Sequence, residues 1–477
     1  MMMTTTKLNH AIVIGGSMTG LLTSRILLNH FERVTLIERD IYPVKPEFRR
    51  GIAQAHQLHQ LMVRANIILE SLFPGIEQEL LNLGAVQIDW PKDVLIVYGS
   101  QLVPRFSFNL NTLFLGRPLL DWTIKSRLEA FKGFHILEGH EVTELLYDAL
   151  QKRVTGVLLC RSDNRKNDDS PSINSLLAEL VVDTTGRATE AHKWLATIGY
   201  TLPKKTVVDA SIGYASRLYQ PSPEFKFDWK AVQMYPRPPY LRGGGIYPVG
   251  NNLWHVGLIG INGDYPPTDE VGFLEFSKTL PGLEIHEAIK SAKPVSKIHS
   301  YRQTQNRLYH YEKLSQMPDG FITLGDAVCA FNPVYGQGIT VAALSALTLD
   351  DLLQEEKYKK GKLTGFSIRF QKKLAKVIAH PWLLATLEDL NWSKTKGIKP
   401  QPWFVYRLIQ RYTYQLLQKA AREPDICQSF AEVMHMLKPT SSLFTPRMFW
   451  RVLLELTPNK AEIVSEDIRK ITAQRLT

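Results

Sequence analysis

The spacing of hydrophobic and polar positions changes along the chain, and each change marks an element. Residues 8–14 (LNHAIVI) form an apolar run suited to a buried strand. The run breaks into Gly15-Gly16-Ser17-Met18-Thr19-Gly20, after which apolar positions recur at helical spacing over 20–30. Residues 33–40 (RVTLIERD) predict a second strand, so the chain opens with a βαβ unit of a parallel sheet, with a right-handed crossover. Residues 128–160 predict a helix end followed by three strands with a tight turn, and 161–175, polar and rich in turn formers, a surface loop. Residues 176–187 (LLAELVVDTTGR) run without helical pattern into a glycine-bearing turn. Over 205–300 aromatic and polar positions alternate among many prolines and glycines, the pattern of a mainly antiparallel sheet. A further buried strand is predicted at 320–326 and a strong helix at 336–354. From about 362 onward the pattern is helical, with apolar and basic residues at helical spacing over 403–422.

These elements predict an α/β protein: a Rossmann-type dinucleotide-binding domain, an inserted mainly antiparallel β-sheet domain and a helical C-terminal region. The expected boundaries are 1–200 with 300–360 for the first, 201–299 for the second and 361–477 for the third. The middle sheet is expected to bind substrate.

Composition narrows the function classes. The chain has 477 residues, 44% hydrophobic and 22% charged, as a soluble globular protein has. No apolar run reaches the length of a membrane span, and the first ten residues carry no secretory core, so a cytoplasmic protein is expected. The three cysteines, Cys160, Cys329 and Cys427, lie far apart and form no zinc or redox spacing. Net charge is +11, but Lys and Arg are dispersed and no nucleic-acid signature accompanies them, so no nucleic-acid partner is expected. A nucleotide cofactor, an acidic substrate or a membrane surface would use the same excess, and the sequence assigns no oligomeric state.

The glycine turn carries the first chemistry. Free N–H groups and the helix dipole at such a turn favour a phosphate, although any α/β protein needs a tight strand-to-helix turn. The segment Gly15-Gly16-Ser17-Met18-Thr19-Gly20 follows the dinucleotide fingerprint G-x-G-x-x-G with serine at the second glycine position. Glu38, at the end of the second predicted strand, stands where a carboxylate accepts from ribose hydroxyls; a solvated strand-end acid is the plainer alternative. A second strand-turn-helix follows at 322–346 (ITLGDAVCAFNPVYGQGITVAALSA). Asp326 is placed to bind a polyol, and the helix after Pro333, Gly336 and Gly338 offers N–H donors to a developing anion. Reduced flavin is such an anion. A nicotinamide has neither a ribityl chain nor a comparable anion, so two such turns argue for FAD.

Over most of residues 8–395 the chain resembles the FAD-dependent class A (aromatic-hydroxylase-like) monooxygenases, and among them the subgroup containing bacterial polyether epoxidases. The resemblance implies that Gly15, Gly16, Ser17 and Gly20 bind pyrophosphate and that Glu38, with Arg39 beside it, binds the adenosine end. Gly325 and Asp326 would take the ribityl chain, with Pro333, Gly336 and Gly338 beside the isoalloxazine. Residues 49–61 (RRGIAQAHQLHQL) are similar to the subgroup's loop after the second strand, with Ala53 where Pro is usual and Gln57 where His is usual. Arg50, Gln54 and His59 match that loop and are expected on the flavin side. Residues 116–128 (GRPLLDWTIKSRL) resemble a helix whose leading arginine, here Arg117, reaches the flavin, and the backbone at Val142 would lie near adenine. Solvated charges would account for the arginines, and a satisfied core histidine for His59.

The stretch 181–189 (VVDTTGRAT) resembles the subgroup form of a motif linked to NAD(P)H and pyrophosphate, through Asp183, Gly186 and Arg187. NAD(P)H is therefore the expected reductant. No second glycine-rich strand-turn-helix provides a nicotinamide domain, and 242–248 (RGGGIYP) has no helix pattern after it. The implied reaction inserts one oxygen atom from O2 into a lipophilic or aromatic small molecule, by epoxidation or hydroxylation. It proceeds through a flavin C4a-hydroperoxide and needs no protein nucleophile or metal. Tyr214, Arg217, Tyr247, Trp254 and His255 are candidates for the substrate wall, though packing explains each singly. A flavin halogenase shares the fold, but its W-x-W-x-I-P signature is missing; LWHVGL (253–258) is the nearest text. A prenyl-chain reductase or redox-neutral cyclase, and a non-catalytic flavin-binding protein, stay open. In the reductase and cyclase readings the basic C-terminal helices would make a peripheral membrane contact; packing on the catalytic domain is the favoured alternative.

Overall fold

Ala11–Ile14 are buried on both faces, as a parallel strand between helical layers requires. They belong to β1 (Leu8–Ile14), which is followed by α1 (Met18–Leu27) and β2 (Phe31–Glu38). Five parallel strands form the sheet, in the order Phe321–Thr323, Leu180–Asp183, β1, β2, Phe134–Glu138. The computed structural model describes residues 7–162, 174–357, 363–397 and 402–453. Most of the loop expected at 161–175 and the end of the C-terminal region therefore lie outside the described residues.

Several boundaries differ from the expectation by a few residues, two of them at the first turn. The helix after the glycine turn begins at Met18 rather than residue 20, because Ser17 is already its N-cap in an extended conformation. The second strand ends at Glu38 rather than residue 40, where the chain leaves the sheet. The three strands expected within 128–160 are present, and the last two pair antiparallel beside the parallel sheet. The late helix runs Gly338–Lys357, and Val341, Ala343, Ala346 and Leu349 are buried in the same core as α1.

The eight-stranded sheet is mainly antiparallel, yet it is not confined to 201–299. Strands Val94–Tyr98 and Gln101–Val103 join it, the former parallel to Ala231–Tyr235. Two short helices that the sequence pattern did not signal, Glu270–Ser277 and Glu284–Lys290, cover one face through Phe273, Phe276, Ile285 and Ile289. The other face turns toward residues 56–58, where Ser216 and His255 bond to the His56 carbonyl. Helix Phe366–Asp389 links the parts: Phe366, Phe370, Leu374 and Ile378 bury one stripe in the core of the parallel sheet. Helices Trp403–Ala420 and Pro424–Met434 then fold over the edge of the eight-stranded sheet, with Ala431 packed among Trp90, Ile96 and Phe114.

Candidate active site

The glycine turn is built by close backbone approach. A Cβ on Gly20 would lie 1.9 Å from the Gly15 carbonyl oxygen, so only glycine lets α1 start against β1. Ser17 caps α1 without a side-chain bond to the first-turn amides, which leaves those N–H groups for a ligand. The Gly16 N–H donates to Glu38 Oε2 at 2.7 Å, and the Asp40 N–H donates to Oε1 at 2.9 Å. Arg49 approaches the same carboxylate at 3.3 Å and donates to the Gly16 carbonyl at 2.9 Å. The Tyr42 hydroxyl donates to that carbonyl too, and the Arg49 guanidinium stacks 4.1 Å above the Tyr42 ring. A carboxylate accepts at about four positions, so these contacts do not exhaust Glu38.

A small cavity of about 120 Å³ lies over this turn, lined by Gly15, Gly16, Ser17, Glu38, Arg39 and Val142. It adjoins a larger one of about 510 Å³ through Ser17, Arg39, Thr184 and Thr185, which line both. The larger cavity is lined by Arg50, Gln54, His59, Arg117, Asp326, Pro333, Gly336 and Gly338 as well. Fourteen of the sixteen expected residues therefore line one trench. The other two, Gly20 and Gly325, shape it from behind: Gly325 has φ +64°, and a Cβ there would meet the Thr19 side chain at 2.5 Å.

Arg117 heads helix Arg117–Glu129, is held by Asp121 at 2.7 Å and donates to Ser17 Oγ at 3.1 Å. The serine that replaces the fingerprint's second glycine thus has a partner across the trench. Burial, with Arg117 nearby, pushes the His59 pKa down to about 3, so the ring is neutral; its Nδ1 pairs with the Gln57 carbonyl oxygen at 2.8 Å. Burial raises the Asp326 pKa against the pull of Arg187, Arg307 and Arg117. Arg187 acts as a brace, donating to the carbonyls of Gln305 at 2.9 Å and Phe331 at 2.5 Å. Asp183 takes bonds from Thr185 and Thr189 and so fixes the turn that bears Arg187.

A third cavity, of about 460 Å³, opens where this trench ends. Gln60, Tyr235 and Val334 line both. Its walls are mostly apolar and come from the eight-stranded sheet (Ile96, Tyr98, Val103) and the C-terminal helices (Leu384, Leu387, Leu416, Phe430). Gln233 ties the neck, donating to Gln60 Oε1 and the Tyr247 hydroxyl, each at 2.8 Å, and accepting from Trp90 and Tyr235, each at 3.1 Å. Among the sequence candidates for the substrate wall, Tyr247 lines the trench and neither Arg217, Trp254 nor His255 lines either of the two large cavities. Trp254 packs with Phe225, Phe227 and Trp229, His255 pairs with the His56 carbonyl, and Arg217 bonds Ser296 and Glu270. Tyr214 donates to Asn332 Oδ1 at 2.6 Å and so steadies the turn at Pro333.

Sequence reasoning missed Tyr42, Arg49, Gln60, Tyr235 and Glu388. Arg49 and Gln60 had a signal in the 49–61 loop; the others had none. Among the described residues no helix is long and apolar enough to cross a membrane.

The trench fits FAD. It runs from the turn that ties Gly16 to Glu38 to the second glycine turn, and the buried Gln57 Oε1 on its wall has no hydrogen-bond partner among the described residues. That acceptor suits a group presenting an N–H at the isoalloxazine end.

Known structures share this architecture. The chain aligns with p-nitrophenol 4-monooxygenase PnpA from Pseudomonas putida DLL-E4 at TM-score 0.62 and 16% identity, covering 91% of this chain and 99% of that one. It aligns with a triple mutant of the flavin-dependent brominase Bmp2 at TM-score 0.61 and 15% identity, covering 97% and 99%. The myxobacterial chondrochloren halogenase CndH gives TM-score 0.61 and 15% identity, covering 95% and 99%. The fold is thus the one found in FAD-dependent monooxygenases and halogenases. In sequence the chain is 28% identical over 436 residues to Protein Rv3254 of Mycobacterium tuberculosis (strain ATCC 25618 / H37Rv), covering 90% of each. No family model matches.

Proposed function

We propose that the protein is an FAD-dependent monooxygenase that transfers one oxygen atom from O2 to a lipophilic or aromatic small molecule, with NAD(P)H as reductant. The observation that carries this reading is the junction at Gln60, Tyr235 and Val334, where a polar trench sized for a dinucleotide meets an apolar chamber. A chamber of this volume is within the ~300–1,000 Å³ usual for small-molecule sites.

In this reading Gly15, Gly16, Ser17 and the first-turn amides of α1 hold the pyrophosphate, Glu38 and Arg39 the adenosine ribose, and Val142 lies by the adenine. Asp326 takes the ribityl hydroxyls. Arg50, Gln54, His59, Arg117, Pro333, Gly336 and Gly338 surround the ring. Bound and reduced, the cofactor supplies O2 activation; the chain does the rest. The N-terminus of helix Gly338–Lys357 directs positive potential toward the ring's negative charge. Gln233 fixes the neck, and the apolar chamber keeps water from the reacting centre.

The test is to purify the protein, record its flavin spectrum, and follow NAD(P)H and O2 consumption with lipophilic alkenes and phenols. Products heavier by one oxygen are expected. A protein that stays colourless with added FAD overturns the reading. Product formed without O2 replaces it with a reductase or cyclase, and halide incorporation with a halogenase.

A further inference from the structure

Helix Phe366–Asp389 ends on two consecutive acids that part company. Asp389 turns into a buried network, accepting from Tyr335 at 2.5 Å, Asn306 at 2.6 Å and Asn332 at 3.3 Å. Glu388 instead lines the apolar chamber, where it is the one carboxylate among the described lining residues, and no lysine or arginine lines it. Among the described residues its side-chain hydrogen-bond donor is the Asn391 amide, at a long 3.3 Å to Oε2. A carboxylate in so apolar a wall is costly unless a partner compensates it. Burial accordingly raises its pKa, with Arg237 pulling the other way through space.

The surroundings limit the partner. A carboxylate ligand would face Glu388 with like charge and no lysine or arginine on the wall to offset it. An ammonium ligand would add a second cation beside Arg237, whose guanidinium is stacked 5.1 Å from the Tyr98 ring centre and 4.6 Å from that of Tyr414. A neutral hydroxyl supplies the missing donor without changing the charge. We propose that the chamber takes a lipophilic alcohol or phenol whose hydroxyl donates to Glu388, leaving its hydrocarbon body against the apolar wall and pointing toward the neck at Gln60 and Tyr235. This rests on reading the chamber as the substrate site and specifies which lipophilic molecules enter it.

Binding is read on the FAD-loaded protein by quenching of Trp90 and Trp392, both on the chamber wall. The probes are 4-nonylphenol, its methyl ether 4-nonylanisole, and 4-nonylbenzylamine. The phenol is expected to bind roughly tenfold more tightly than the ether, the worth of one hydrogen bond to a charged acceptor. Glu388→Leu should level the two by weakening the phenol alone, its retained ether binding showing that the chamber is intact. Glu388→Gln, which keeps an acceptor, should preserve part of the preference. Equal affinities in the wild type, a preference that survives Glu388→Leu, or an amine that outbinds the phenol each overturn the proposal. The oxygenase reading fails separately: a phenol preference in a protein that consumes no NAD(P)H with O2 leaves the hydroxyl site standing, whereas turnover with no preference removes the site alone.

Discussion

The nucleotide end of the trench and the apolar chamber differ in how their walls are made. At the proposed nucleotide end the wall is mostly backbone: a turn that tolerates no Cβ at Gly20, amides at the start of α1, and one carboxylate tied by Gly16 and Asp40. The chamber is walled by side chains drawn from strands near 96, 103 and 235 and from helices near 384, 416 and 430. The first surface has little freedom to vary; the second can change shape with any one residue. Fold-level likeness to both monooxygenases and halogenases is what such a division allows if, as proposed, cofactor handling and substrate choice reside in different parts.

The sharpest way to break this comparison is at Gly20. In Gly20→Ala the new methyl meets the Gly15 carbonyl oxygen, and α1 or β1 must shift. FAD affinity should fall by roughly tenfold to a hundredfold, the effect of overpacking by a few kcal/mol. Flavin absorbance after titration measures it, with a thermal melt to confirm folding. Unchanged affinity would mean that the turn is as adaptable as the chamber.

The reciprocal change is Leu387→Trp on the chamber wall. Flavin content should stay at the wild-type level while kcat/KM for lipophilic substrates drops roughly tenfold through lost volume. Loss of flavin in this variant would show the two regions to be one cooperative unit.

The same contrast explains what could be read from the sequence. The nucleotide end was legible because its parts are neighbours in the chain: the strand, the turn and Glu38 lie within one βαβ unit, and Pro333 to Gly338 within one turn. Parallel strands such as Ala11–Ile14 and Val181–Val182 announce themselves as unbroken apolar runs, since both faces are covered. Chamber residues have no such signal. Gln60, Tyr235 and Glu388 are far apart in sequence, and each is an ordinary polar or aromatic residue until the fold assembles them. The helices Glu270–Ser277 and Glu284–Lys290 escaped notice because two turns are too short to establish a period within a strand-rich stretch. Trp254 and His255 were reasonable candidates, but strand alternation sends neighbouring side chains to opposite faces, and contact register alone says which face matters.

Between the two regions stands Asp389, and it gives a smaller, pH-dependent test. Burial raises its pKa to about 7, against the hydrogen bonds from Tyr335 and Asn332. The folded chain then holds a proton that the unfolded chain has released above pH ~4. Its contribution to stability is therefore complete below about pH 4 and is lost as pH rises through about 7. Wild type should lose about 1 kcal/mol relative to Asp389→Asn between pH 5 and 6, read as urea midpoints. Parallel profiles would show that the acid bridging the Pro333 turn to the chamber helix does not titrate in this range.

The mildest prediction probes how redundantly the nucleotide end is held. Tyr42 and Arg49 both donate to the Gly16 carbonyl, and Arg49 also neutralises Glu38. In Tyr42→Phe the carbonyl keeps its bond from Arg49, and the ring still supports the guanidinium stacked on it. The loss is then one of two donors to a satisfied acceptor, about 0.5–1 kcal/mol. FAD affinity should fall only about threefold to fivefold in a fluorescence titration of the apoprotein. A fall approaching that of Gly20→Ala would mean that Tyr42 touches the cofactor itself. The rigid end would then depend on side chains as much as the chamber does.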